Sequence, residues 1–187
     1  MAKGSSARQA RRSDGAALLL RLAVGPMLFT HGYNKVFGPG GLHGATRWFD
    51  ALGFKPANVH ARLAAAVELG AGSLLTVGAA SPLPAAAAIG VMTTATLTDH
   101  KGKGFFVFKG GWEYTALVAV VASAIATLGP GRYSWDALRR RQRSGLRWGL
   151  LAVALGVGGS AAVLATSYHP EAPGSPPAAG TPAGAED

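Results

Sequence analysis

The chain has no cysteine, which removes disulfides, thiolate metal sites and dithiol exchange from anything it does by itself. Charge is scarce as well. Charged residues make up 14% of the sequence, and nine Asp and Glu stand against eighteen Lys and Arg. No HExxH motif, phosphate-binding loop or nucleophile elbow occurs in it, so the usual signatures of zinc-protease, nucleotide and serine-hydrolase chemistry are missing. A net charge of +9 and an isoelectric point near 10.5 would fit a nucleic-acid partner in a soluble protein. Position decides against that reading: the Lys and Arg residues flank long apolar runs, where they act as topology signals. Nucleic-acid binding is therefore not expected.

What the chain holds in quantity is apolar length. Five runs, 16–36, 61–80, 83–100, 112–129 and 146–168, approach the roughly 20 residues that cross a hydrocarbon core of about 30 Å at helical rise. In lipid every backbone polar group must be satisfied within the segment, so such runs become helices. The predicted fold class is an all-α membrane protein, a four-helix transmembrane bundle core plus an additional fifth C-terminal transmembrane helix. The basic stretch 1–15 reads as an N-terminal tail. The run that follows is too long for a signal-peptide core and lacks a small-residue cleavage site, so it is read as a retained span. Ser81-Pro82-Leu83-Pro84 marks a tight turn that makes the second and third spans antiparallel neighbours. Trp48, Phe49, Leu52 and Phe54 line either one face of a short interfacial helix or an ordinary surface loop. The tail 169–187 is rich in Pro, Ala and Gly, has no periodic apolar face and is expected to be disordered.

Ionisable groups inside spans cost about 2.5 to 3.5 kcal/mol each on insertion scales and so mark candidate sites. His31 and Lys35 share a helical face at four-residue spacing, with Asn34 beside it, and Glu68, Gly72 and Thr76 form a second stripe of the same spacing. Pairing Lys35 with Glu68 or Glu113 would offset much of the insertion cost. Together with His100 and Glu113 these residues are expected at one depth, in the outer half of the bundle. There they either lock helices together or offer a quinone or similar headgroup a hydrogen-bond donor and a titratable partner. Haem ligation by His31 and His100, or a metal at Asp99 and His100, lacks a recognisable spacing, and no metal site or catalytic residue is assigned. Arg21 is expected to snorkel towards the headgroups at the inner end. Ala152, Gly156 and Ser160 make a small-residue face for close helix packing, against this chain or a partner.

The strings RLAVGPMLFTHGYNKVFG, FDALGF, VELGAGSLLTVGAASPLPA, GGWE and GPGRYSWDAL, in that order, resemble the DoxX family. The resemblance covers about residues 21–138, and it divides the chain into a DoxX-like four-helix membrane core at 16–138, an Arg-rich linker with a fifth helix at 139–168, and the tail. The family takes its name from a small subunit of an archaeal quinone-linked, sulfur-oxidising membrane complex. The resemblance implies an accessory subunit of a redox or respiratory assembly, with other membrane subunits and membrane lipid as partners and a quinone or lipid as the non-covalent ligand. A self-contained quinone-interacting oxidoreductase and a transporter of small solutes or lipids are the alternatives. The pattern singles out Arg21, His31, Gly32, Lys35, Glu68, His100, Gly110, Gly111 and Glu113, and a structural turn at Gly129, Pro130, Gly131 and Arg132.

Lys3, Arg8, Arg11 and Arg12 precede the first span, and Arg132, Arg139, Arg140, Arg141, Arg143 and Arg147 lie between the fourth and fifth. The positive-inside rule then gives a multi-pass protein of a bacterial plasma membrane, N-terminus cytoplasmic and C-terminus outside, although Lys101, Lys103 and Lys109 oppose it. Alkaline phosphatase fused after Tyr168 is therefore expected to be active, and fused after Arg141 inactive. The reverse pattern would overturn the orientation.

Overall fold

The computed structural model describes residues 2–170, with side chains from Ser13 onward. It is all-helical, with seven α-helices: α1 (Ala2–Phe37), α2 (Gly41–Ala51), α3 (Ala57–Val77), α4 (Leu83–Leu97), α5 (Glu113–Leu128), α6 (Trp135–Leu138) and α7 (Leu146–Ser167). No β-strand occurs among the described residues; one bridged pair, Phe54 with Tyr168, stands alone. The basic N-terminal segment is not a separate tail but the start of α1, which no proline interrupts before Pro26. The tail expected to be disordered lies, but for His169 and Pro170, outside the described residues.

The interior is built of small residues. Ala61, Ala88, Ala122, Ala126 and Ala152 are completely buried, while Leu19, Leu22, Phe29, Leu63, Leu117, Val120, Leu150 and Leu155 point outward. A protein folding in water buries its large apolar side chains first. Here many of them face outward, and alanines fill much of the interior beside Leu28, Leu75, Ile89, Met92 and Ile125, which is the arrangement of helices that associate by close packing in lipid. Two helical segments, Ser13–Phe37 and Leu146–Ser167, are long and apolar enough to cross a membrane. At 15 and 16 residues, α4 and α5 rise only about 22 to 24 Å. They are shorter than the predicted runs because the chain turns at Thr98 and is held in a hydrogen-bonded loop until Glu113.

Glycine sets the closest approach in the bundle. A Cβ at Gly25 would lie 2.7 Å from the backbone N of Thr76, one at Gly32 2.8 Å from that of Leu69, and one at Gly72 2.7 Å from the carbonyl of Gly25. The α1 and α3 backbones therefore touch, and only glycine permits it. A second close contact joins α4 to α7, where a Cβ at Gly156 would lie 2.6 Å from the Ala86 carbonyl and Thr94 bonds Ser160 between hydroxyls at 2.8 Å. Ala152, Gly156 and Ser160 thus pack within this chain's own bundle. The hydroxyls of Thr96 and Thr115, 2.6 Å apart, tie α4 to α5.

Arg21 does not snorkel. It is 2% exposed, and its guanidinium donates to four carbonyls: Leu75 at 3.1 Å, Thr76 at 3.3 Å, Tyr133 at 2.8 Å, and Pro130. The last carbonyls of a helix have no partner within it, and a group with five donors in a fixed fork can satisfy several at once. The turn from Gly129 to Arg132 is the other half of that unit, fixed also by Asp14, which accepts from the Arg132 N–H at 2.9 Å. Gly78 closes α3 at φ +70° with the Arg21 guanidinium against it, where a Cβ would lie 2.6 Å from Nη1. The buried Asp136 carboxylate then holds the turn into α4, accepting from the N–H groups of Ala80 and Ser81 at 3.0 and 2.9 Å.

Gly72→Leu is expected to destabilise the bundle by about 3 kcal/mol or more through overpacking, whereas Gly70→Leu, where nothing lies within 4 Å of a Cβ, changes little. Thermal unfolding in one detergent compares the two, and equal midpoints would remove the role given to the α1–α3 contact.

Candidate functional site

Between α3, α4 and α7 a groove of about 390 Å³ runs along the bundle. Its lining includes Leu83 at one end and Asp99 at the other, with Gly90, Gly156 and Gly159 among the wall residues. At Gly159 a Cβ would meet nothing within 4 Å, so a side chain there would take up free space, whereas one at Gly90 or Gly156 would strike the facing helix. Trp48 and Phe49 of α2 and Leu52, which follows it, also line the groove. This short helix has one apolar face, and Phe49 packs on Phe54 at 5.3 Å between ring centroids. Phe54 is fully buried and meets Tyr168 at 5.3 Å. Two backbone bonds, from Lys55 N–H to the Ser167 carbonyl at 2.8 Å and from His169 N–H to the Gly53 carbonyl at 2.7 Å, fasten the end of α7 to the α2–α3 connection.

The wall is apolar except at one end, where Lys35 of α1 meets Glu68 of α3. Lys35 Nζ lies 2.6 and 2.9 Å from the two Glu68 carboxylate oxygens, with side chains 13% and 5% exposed. The glycine contacts explain how a lysine on one helix reaches a carboxylate on the next without extending into lipid. Trp48 stacks over the ammonium at 5.8 Å, adding a cation–π contact to the ion pair. His60, Thr94, Thr98, Asp99 and Ser160 complete the polar part of the lining.

The residues expected to share one site separate into three groups. Lys35 and Glu68 form the charged end of the groove. His31 and Asn34, with Lys35, line a smaller cleft of about 290 Å³ between α1 and α2, and His31 Nε2 sits 3.2 Å from the Tyr114 hydroxyl. His100 and Glu113 are used by the α4–α5 loop instead: His100 Nδ1 donates to the Gly110 carbonyl at 2.6 Å, and the Glu113 carboxylate accepts from the Val107 N–H at 3.1 Å. Equal depth suggests one shared site for them, but depth leaves azimuth around the bundle open. No cluster of three or more metal-ligating side chains occurs among the described residues. His60 and Trp48 were missed as lining residues, because both lie outside the apolar runs and only the fold of the α1–α3 connection brings them in.

An all-α bundle with small residues inside, large apolar residues outside, and a lateral groove ending at a buried ion pair is a helical membrane protein. The DoxX family model matches residues 16–101, the segment that carries α1 from its apolar part, α2, α3 and α4, and this match supports membership of that family. No curated protein and no solved structure matches the chain. The matched segment supplies the ion pair and two walls of the groove, while α7, beyond it, supplies the third.

Lys35→Met would strand Glu68 without its partner in a part-buried site, and loss of one member of such a pair costs about 3 to 5 kcal/mol. The double variant Lys35→Met, Glu68→Met is expected to recover most of that loss. A double-mutant cycle from thermal midpoints reads the difference, and additive losses would mean that the two side chains are not coupled.

Proposed function

We propose that the chain is an accessory integral-membrane subunit of a quinone-linked redox assembly, and that its groove holds an isoprenoid quinone. The carrying observation is the shape and chemistry of the groove: a long apolar wall open along the bundle, ending at one charged donor and one carboxylate. An isoprenoid tail fits the apolar wall, and a quinone carbonyl is an acceptor for the Lys35 ammonium. Glu68 is placed to exchange a proton at the same end. In this reading the electrons come from a partner subunit.

In this reading the apolar parts of α1, α3, α4 and α5 form a four-helix transmembrane core and α7 a fifth span. The basic ends face the cytoplasm of a bacterial plasma membrane and the polar end of the groove faces the outer leaflet. Support for five spans comes from the outward-facing apolar residues on each of these helices, and for the orientation from the arginines between α5 and α7.

Gly159 tests the ligand without touching the fold. It lines the groove, and a Cβ there meets nothing within 4 Å; the same is true of Gly158, which is not part of the lining. Quinone extracted from the wild-type protein purified in mild detergent is expected at near-stoichiometric amount. In Gly159→Phe it should fall by roughly tenfold, the factor that about 1.4 kcal/mol of lost contact carries, while Gly158→Phe keeps it. Co-purifying proteins identified in the same preparation are expected to include oxidoreductase or cytochrome subunits. A lone protein with no quinone, or equal quinone in both glycine variants, would overturn the proposal.

A further inference from the structure

The end of the bundle opposite the ion pair carries a different chemistry. Arg132, Arg139, Arg140, Arg141, Arg143 and Arg147 are all exposed between α5 and the first turn of α7, and among the described residues none of them lies in a salt bridge with a carboxylate. The two carboxylates nearby are already engaged. Asp136 points inward to the N–H groups of Ala80 and Ser81, and Asp14 accepts from the backbone of Arg132. Six guanidinium groups therefore share one end of the molecule with only two carboxylates beside them among the described residues, neither in an ion pair with any of the six.

Several of these guanidinium groups are also held in place. Arg132 stacks on Tyr133 at 5.2 Å and Arg139 on Trp135 at 5.0 Å, and Arg143 and Arg147 both stack on Trp148, each at 5.3 Å from the ring. One indole thus fixes two guanidinium groups that would otherwise repel each other and separate. Arg143 is anchored further by a bond to the Ser81 carbonyl at 3.3 Å. The aromatic residues Tyr133 and Trp135 are themselves half exposed, at 56% and 50%, and the neighbouring Leu138 is exposed at 78%. Amphipathic rings of this kind, beside cations at the end of a membrane helix, sit at headgroup level.

We infer that this surface is a binding site for the phosphates of acidic phospholipids, with Arg143 and Arg147 on either side of Trp148 taking a headgroup that carries two phosphates. Guanidinium groups match phosphate by paired N–H donors. Clustered arginines with no carboxylate partner gain a counter-charge from the lipid at no internal cost. The apolar parts of Tyr133, Trp135 and Leu138 enter the acyl boundary of the same leaflet. This site is at the far end of the bundle from the Lys35–Glu68 pair, and does not depend on what the groove holds.

The test is native mass spectrometry of the full chain, released from detergent after addition of cardiolipin, of phosphatidylcholine or of inorganic phosphate. Cardiolipin is expected to stay bound, phosphatidylcholine to dissociate, and inorganic phosphate to leave the thermal midpoint unchanged. Arg139→Gln with Arg147→Gln removes two exposed charges whose side chains touch only indole rings, and should weaken cardiolipin binding roughly thirty-fold, two surface cations' worth. Lys101→Gln with Lys109→Gln removes the same charge at the opposite end and should weaken it little. Equal loss in both variants would reduce the effect to net charge and overturn a site. Equal retention of the two lipids, or a phosphate-induced shift as large as cardiolipin's, would overturn the lipid reading. Helix content by circular dichroism separates either result from unfolding.

Discussion

The architecture depends on one buried cation. Arg21 gathers the loose carbonyl ends of α3 and the turn after α5 around a single guanidinium, and in a medium without water those carbonyls would otherwise have no donor. The neighbouring Asp136 does the complementary work for N–H groups at the start of the α3–α4 turn. One end of the bundle is therefore closed by charge acting on backbone rather than by side chains acting on each other. With that end closed, α1 and α3 can lie in backbone contact along Gly25, Gly32 and Gly72, and this brings Lys35 within reach of Glu68.

Small side chains have two roles in this molecule, and the difference lies in what faces them. At Gly25, Gly32 and Gly72 another backbone fills the space, and the result is adhesion. At Gly159 nothing lies within 4 Å of where a Cβ would stand, and the space is part of the groove. Gly90 and Gly156 belong with the adhesive glycines, since a Cβ at either would meet the facing helix backbone, although both also line the groove. Burial of small residues lowers the apolar area hidden inside the protein, which would be a poor strategy in water and carries no such penalty in lipid.

Much of this was legible in the sequence because the bilayer restricts the choices. Apolar runs near the length of a hydrocarbon core gave helices at nearly the observed positions, and the four-residue stripes of His31 with Lys35 and of Glu68 with Gly72 identified the faces that bring Lys35 and Glu68 together. The fate of Arg21 was not legible. Its acceptors lie 54 to 112 residues away along the chain, and a lone arginine in an apolar run has the same local pattern whether it snorkels or is enclosed. His100 and Glu113 were read from depth and from the family pattern, neither of which fixes azimuth, whereas the loop from Thr98 to Trp112 folds on itself and takes both for its own hydrogen bonds. The groove was illegible for a further reason: it is a space left between three helices, one of them outside the family segment, and a space has no residue to announce it.

The groove lies along the side of the bundle rather than at its aqueous ends, and this changes what concentration means for any ligand. A molecule that reaches it by diffusing in the plane of the membrane never needs to dissolve in water, so occupancy follows its mole fraction in the surrounding lipid. Dilution of the cell suspension would leave occupancy unaltered, while a change in membrane composition would alter it at once. Because α7 forms one wall and is fastened at its far end to the α2–α3 connection, a tug on that helix from outside would be felt as a change in the width of the slot.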